Sequence, residues 1–345
     1  MIRFIFLISA WCILLLQPTF AEPFAYAVDP DKNTLNTIDL SNHQIISSYP
    51  LVSKYPRELA LDEKRMRAYI IGSITKKLCI IDLVDHKKEP ISLFCGPSPW
   101  GIVLSPGGKR AYITNVSHNC ISIVDLTTDT MLPEMIRVGD LPWAIAIAPD
   151  GKTAYVVNHG SSTVSVIDLS TNTVKTVIKV GCKPVMLAVH PDGGTVYVTN
   201  FGEGTVSVID TKTNTQKTKI QLKYKTPTSI AVTPDRKYAY IVHQELPYVS
   251  KIDLLQNKVE DTSIKVDGKP LGIGMYAPLS KAYITQADQD ALIAIDLKTD
   301  KVVPEPAPGS AGLGHIVFLE NTPTNPSIVL KLWGNLIDAL KHLSN

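Results

Sequence analysis

Three markers recur along this chain in a single phase. A tyrosine stands at Tyr26, Tyr69, Tyr112, Tyr155, Tyr197, Tyr240 and Tyr283, with a step of 43 residues that is once 42. An aspartate closing an "ID"-type stretch keeps the same steps at Asp39, Asp82, Asp125, Asp168, Asp210, Asp253 and Asp296. A proline repeats with them at Pro56, Pro99, Pro142, Pro184, Pro227 and Pro270. Two copies are nearly literal, TAYVVNHGSSTVSVID at 153–168 and TVYVTNFGEGTVSVID at 195–210. A fixed period of this length means that one supersecondary unit is copied and stacked on its neighbours.

The unit is made of strands. Around the fourth tyrosine the short apolar or alternating runs are AIAIA at 144–148, TAYVV at 153–157, TVSVI at 163–167 and TVKTVIKV at 173–180. β-Branched and aromatic residues fill them, and Pro-Asp-Gly, Asn-His-Gly-Ser and Ser-Thr-Asn-Thr separate them with turn chemistry. Four strands in about 40 residues describe a propeller blade. The fold class is therefore all-β, a seven-bladed β-propeller with four-stranded blades. The blade of Tyr26 lacks a first strand upstream, and GHIVFL at 314–319 reads as a first strand with no blade behind it. A C-terminal strand joining the N-terminal blade would close the ring and remove an open edge.

The ends read differently. Arg3 precedes a continuous apolar run, Phe4 to Leu16, which is shorter than the roughly 20 residues of a membrane span. Gln17 and Pro18 break the run before a small-residue cleavage site at Ala21, so residues 1–21 are expected to be a signal peptide. The propeller is expected over 22–320, in a periplasmic or secreted product with no membrane span. In 321–345, Ile328, Val329, Leu332, Trp333, Leu336, Ile337, Leu340 and Leu343 fall at helical spacing, so an amphipathic helix is expected in that tail.

TVYVTN at 195–200, followed by TVSVID and by the PDG and PDR turns, resembles the YVTN-repeat, YncE-like β-propellers over about residues 24–320. The resemblance implies an exported seven-bladed propeller, commonly bacterial, used for binding more often than for catalysis.

The repeat exposes its own exceptions. In such a blade, the loop leading into the first strand and the loop between the second and third strands share one face, the top. After the repeat proline stand Arg57, Trp100, Trp143, Val185, Thr228 and Leu271, and one residue further Glu58, Gly101, Ala144, Met186, Ser229 and Gly272, with His315 closing that second ring. The small side of each first strand is expected to face the channel, and the bulky side, such as Ile145 and Ile147, to pack between blades. Trp100 and Trp143 hold equivalent places in neighbouring blades, either as a binding hot spot or as plugs in the seam. Arg57, Glu58 and His315 would meet where the ring closes, as a polar ligand site, an acid–base group or an ion pair tying the closure. His118, His159, Phe201 and His243 lie in the other top loops.

These residues, Arg57, Glu58, Trp100, Trp143, His118, His159, Phe201, His243 and His315, are the candidate ligand contacts. Glu58, His315 and Arg57 are the alternative catalytic set. No cofactor or metal site is expected. Two functions stand open: a non-enzymatic scaffold for a protein, peptide or envelope component, and a hydrolase- or lactonase-like enzyme acting at the channel mouth. A protein or peptide partner is expected and a small-molecule ligand is an alternative; a formal net charge of +2 gives no footprint for nucleic acid. The chain is expected to be a monomer. Cys79, Cys95, Cys120 and Cys182 form no CxxC; Cys79–Cys95 and Cys95–Cys120 disulfides stand beside free buried thiols as alternatives.

Overall fold

Every repeat closes its hairpins with the same local chemistry. The aspartate that ends each third strand turns its carboxylate onto the amides two and three residues ahead, as Asp210 Oδ1 does with Lys212 and Thr213 at 2.8 and 3.1 Å. The same contact recurs at Asp39, Asp82, Asp125, Asp168, Asp253 and Asp296. Two residues later in that loop, His43, Asp129, Asn172, Asn214, Asn257 and Asp300 take the left-handed conformation, with φ of 51–59°. Asn and Asp tolerate that region best among residues with a side chain. Each periodic aspartate is thus a turn lock. The hydroxyl and amide of Ser170, with Lys175, hold Asp168 down at about 2.

The computed structural model describes residues 24–85, 88–287, 292–303 and 316–318. The residues expected to form the signal peptide and the C-terminal helix, and His315, lie outside the described residues. Within them the strands form seven antiparallel sheets. Blade one holds Phe24–Asp29, Thr34–Asp39 and Gln44–Pro50. Blades two to seven follow over 56–94, 99–137, 142–179, 184–221, 227–265 and 270–303. Blade six departs from the pattern, because its outer strand is split into Lys258–Val259 and Ile264–Lys265.

The strand Ile316–Phe318 completes blade one by pairing with Ala25–Ala27. Phe318 packs across to blade seven, with ring centroids 5.4 Å from Tyr276 and 5.6 Å from Tyr283. Gly274 makes room for it: a Cβ there would sit 2.4 Å from Phe318 Cε2. Each first strand touches the first strands on either side, so these strands circle the axis.

The core is seven seams. One apolar cluster lies between each pair of adjacent blades. The seven periodic tyrosines are all buried in them. This corrects the expected alternation of the first strand. Ala144 and Ala148 pack with Leu187 and Val196 of blade five. Ile145 and Ile147 pack with Tyr112, Ile121 and Ile123 of blade three. Both sides of a blade meet a neighbouring blade, so the small side is a seam surface as much as the bulky one. The four cysteines among the described residues are free thiols, with Cys79, Cys95 and Cys120 buried and Cys182 exposed, so neither disulfide alternative is formed. Burial pushes Cys79 up to about 11 and Cys95 to about 12.

Candidate functional site

The motif that names the repeat does two structural jobs. Its asparagine crosses to the third strand: Asn115, Asn158 and Asn200 donate to Ser122, Ser165 and Ser207 at 2.8–2.9 Å. His243 takes the same place in blade six, with Nε2 at 2.8 Å from Ser250 Oγ and Nδ1 at 2.9 Å from the Lys225 carbonyl. It is 0% exposed, and burial lowers its pKa. His243 is therefore a core replacement for asparagine and presents nothing to the top face.

The threonine of the motif reaches the next blade. Thr114 Oγ1 accepts the Gly101 amide at 2.8 Å and donates to the Trp143 carbonyl at 2.6 Å. Thr199 makes the matching contacts with the Met186 amide and the Thr228 carbonyl. In blades three and four this clasp is tight. A Cβ on Gly101 would stand 2.5 Å from the Trp143 carbonyl oxygen, so only glycine lets the two first strands come this close.

That approach builds the central feature of the top face. Trp100 and Trp143 stack with centroids 4.7 Å apart and an interplanar angle of 18°. His159 stacks on the far side of Trp143 at 4.0 Å and 7°. Arg57 lies over the near side of Trp100, 4.1 Å from the centroid, and Tyr55 covers Arg57 at 4.6 Å. Tyr55, Arg57, Trp100, Trp143 and His159 thus form one ladder across blades two, three and four. Every rung is partly exposed. His159 Nδ1 is 3.0 Å from the Pro184 carbonyl, which ties the last rung to blade five, and burial depresses its pKa. Both faces of each indole are covered from within the protein, so the ladder offers its edges to a partner and no slot for a flat ligand.

Glu58 points to the blade-three side of the same rim. Its Oε2 accepts the Ile102 amide at 3.0 Å and lies beside Gly101. Burial raises its pKa to about 8, against which that amide pulls only partly. The group is therefore mostly protonated near neutral pH. His118 stands exposed on the short turn Val116–His118, and Phe201 is partly buried in the blade-five loop. Neither ring joins the ladder.

Two features were missed by sequence reasoning. Tyr55 is the residue before the repeat proline, a position whose occupants otherwise vary without aromatic character. Tyr224 and Tyr248 stack at 4.3 Å and 4° at the top of blade six, and Tyr224 meets His243 edge-on at 5.5 Å. They are 24 residues apart, and no marker of the repeat joins them. Among the described residues no group of three His, Cys, Asp or Glu side chains could hold a metal ion. Among them, too, no helix is long and apolar enough to cross a membrane.

The model of the YNCE-like beta-propeller family matches residues 151–312. Over those residues, a little under half of the chain, it is similar to the YNCE-like β-propellers, and the seven-bladed arrangement agrees with that match. Hydrazine synthase of Kuenenia stuttgartiensis is similar to this propeller at 22% identity, with 70% of this chain and 77% of that chain covered and a TM-score of 0.63. A functionally unknown protein of Desulfotomaculum acetoxidans is similar at 14% identity, over 86% and 98% of the two chains, with a TM-score of 0.74. The dihydro-heme d1 dehydrogenase NirN is similar at 12% identity, over 92% and 78%, with a TM-score of 0.64. At these identities the likeness is one of fold. No curated protein matches this chain.

Proposed function

We propose that this YNCE-like propeller is an exported binding scaffold. It recognises a protein, peptide or envelope component through its top face, and it works as a periplasmic or secreted monomer after removal of residues 1–21. The ladder from Tyr55 to His159 carries this reading. It places rigid aromatic edges and an arginine at the channel mouth, the residue types that dominate binding hot spots. Its internal stacking fixes those side chains before a partner arrives, which lowers the ordering cost of association.

Native mass spectrometry of the processed protein recovered from the exported fraction of its source tests the proposal. A co-purifying protein or peptide mass is expected, and it is expected to be lost from a folded Trp100→Ala/Trp143→Ala variant. Retention by that variant overturns the assignment of this surface.

A second reading follows from Glu58. A carboxyl group with a pKa of about 8 at a channel mouth suits a general acid, as in a hydrolase- or lactonase-like propeller. Turnover of an ester or lactone panel that disappears in Glu58→Gln would bring this reading forward. A panel with no turnover leaves the scaffold.

A further inference from the structure

The second rung of the ladder, Arg57, holds a charge that nothing described neutralises. The guanidinium of Arg57 is clamped between Tyr55 and Trp100. The clamp fixes its plane but gives it no acceptor: Nε is buried without a hydrogen-bond partner. Arg57 forms no ion pair with any described residue. Burial without a carboxylate beside it lowers its pKa. Glu58, next in sequence, turns its Oε2 to the Ile102 amide instead. The residue remains partly exposed, so the edge that the two rings leave open can be reached.

The surroundings share this character. The top loops of blades two and three, at 51–55, 73–76, 95–98 and 116–119, carry Lys54 and Lys76 and not one aspartate or glutamate. Two of these loops lie against each other: the Ser73 amide bonds the Tyr55 carbonyl at 3.2 Å, and a Cβ on Gly72 would collide with Ser53 and Thr75. Their tips expose Val52 and Ile74, 62% and 64% accessible. The loop that supplies the Tyr55 wall of the guanidinium thus exposes an aliphatic side chain, and so does the loop bonded to it, and each of the two also carries a lysine.

We propose that Arg57 anchors the C-terminal carboxylate of a peptide chain whose last side chain is apolar and rests on Val52 and Ile74. This rests on the scaffold reading above and names the group recognised there. A planar guanidinium flanked by two rings has only its edge left to offer, and that edge matches the two oxygens of a carboxylate. A C-terminal residue alone presents that carboxylate within one bond of the carbon that bears an apolar side chain. A nucleic-acid strand would call for cations repeated along a track, whereas the chain as a whole is near neutral, with a formal charge of +2.

The test uses the full-length protein labelled with 15N-arginine, and two probes, N-acetyl-leucine and N-acetyl-leucinamide. The Nε–H resonance of Arg57, assigned by its loss in Arg57→Gln, is expected to shift saturably with the carboxylate. The amide is expected to bind at least about tenfold more weakly, the scale of one lost charge-assisted hydrogen bond. Indole resonances report the same titrations in Arg57→Gln and Arg57→Lys. The first is expected to bind both probes equally weakly, and the second to keep a reduced preference for the carboxylate. Equal binding of both probes to the wild type, no shift with either, or an unchanged preference in Arg57→Gln overturns the proposal. So does displacement of N-acetyl-leucine by an oligothymidylate that binds more tightly. If Arg57→Gln still carries the partner mass seen by native spectrometry while Trp100→Ala/Trp143→Ala does not, the scaffold reading stands and the carboxylate assignment alone falls.

Discussion

Blades two to four and blades five to seven share one backbone plan and differ at their mouths. After the repeat proline the first group places Arg57, Trp100 and Trp143, and the second Val185, Thr228 and Leu271. In the second group Thr228 turns its hydroxyl back to the carbonyls of Val242 and Leu271, at 3.4 and 3.5 Å. It is spent on holding blades together. In the first group the side chains at the same place stack on one another and keep an exposed edge. Blades five to seven fold with small or aliphatic residues at this place, so arginine and two tryptophans in consecutive blades set one half of the mouth apart from the other.

The largest expected effect breaks this comparison directly. Trp100→Ala/Trp143→Ala should weaken partner binding by about 30-fold or more, the range of hot-spot truncations. Val185→Ala/Leu271→Ala should change it less than threefold, a difference below about 1 kcal/mol. Binding isotherms with the partner found by mass spectrometry measure both. Equal losses from the two pairs would mean that the mouth acts as a uniform ring.

Gly101→Ala tests how the ladder is built. The added methyl meets the Trp143 carbonyl, so blades three and four must part, at a cost of about 1–3 kcal/mol in urea denaturation. The exciton-coupled circular dichroism of the stacked indoles should fall with it. A variant that keeps full coupling and stability would show that the glycine is not what brings the tryptophans together.

The motif asparagine offers a smaller contrast. Asn200→Ala removes one of two donors to Ser207, leaving the Gly181 amide, and also ends the bond to Thr205, and should cost about 1–2 kcal/mol. His243→Asn restores the side chain used by blades three to five and should cost less than about 1 kcal/mol. A large loss in His243→Asn would mean that the imidazole does more than bridge Ser250 and Lys225.

Glu58 gives the mildest signal, in pH. Its carboxyl holds a proton more tightly folded, at about 8, than at its ordinary 4.5. The folded state binds more protons between those values, so this contribution is complete below about pH 4.5 and is lost as pH rises through about 8. Water reaching the partly exposed side chain tempers the effect. Urea midpoints should fall from about pH 5 to about pH 8.5, and Glu58→Gln should flatten that slope. An identical slope in the variant would assign it to other groups.

The sequence displayed the ring because a period is a physical constraint. Tyrosine, aspartate and proline recur because every blade must plug a seam, lock a hairpin and start a strand. The same regularity made Trp100 and Trp143 visible as exceptions. What it hid was partnership across blades. Nothing along the chain says that Tyr55 caps Arg57, or that Glu58 turns to Ile102. His243 looked like a loop histidine because a buried imidazole and a surface one are written with the same letter. The alternation of the first strand suggested an open and a closed side, but in a ring each blade is covered on both faces, so residue size marks the local width of a seam.

The joint between Ile316–Phe318 and Ala25–Ala27 sets the order of events during synthesis. It pairs residues separated by almost the entire chain, the costliest kind of contact for loop-closure entropy. Six blades can form from neighbouring residues as they emerge. The first cannot, and until Ile316–Phe318 is made its inner edge stays an unpaired template for other strands. A nascent chain stalled before Ile316 would carry a nearly complete ring and a single sticky end, so the hazard of misassociation lasts until that one short strand has emerged.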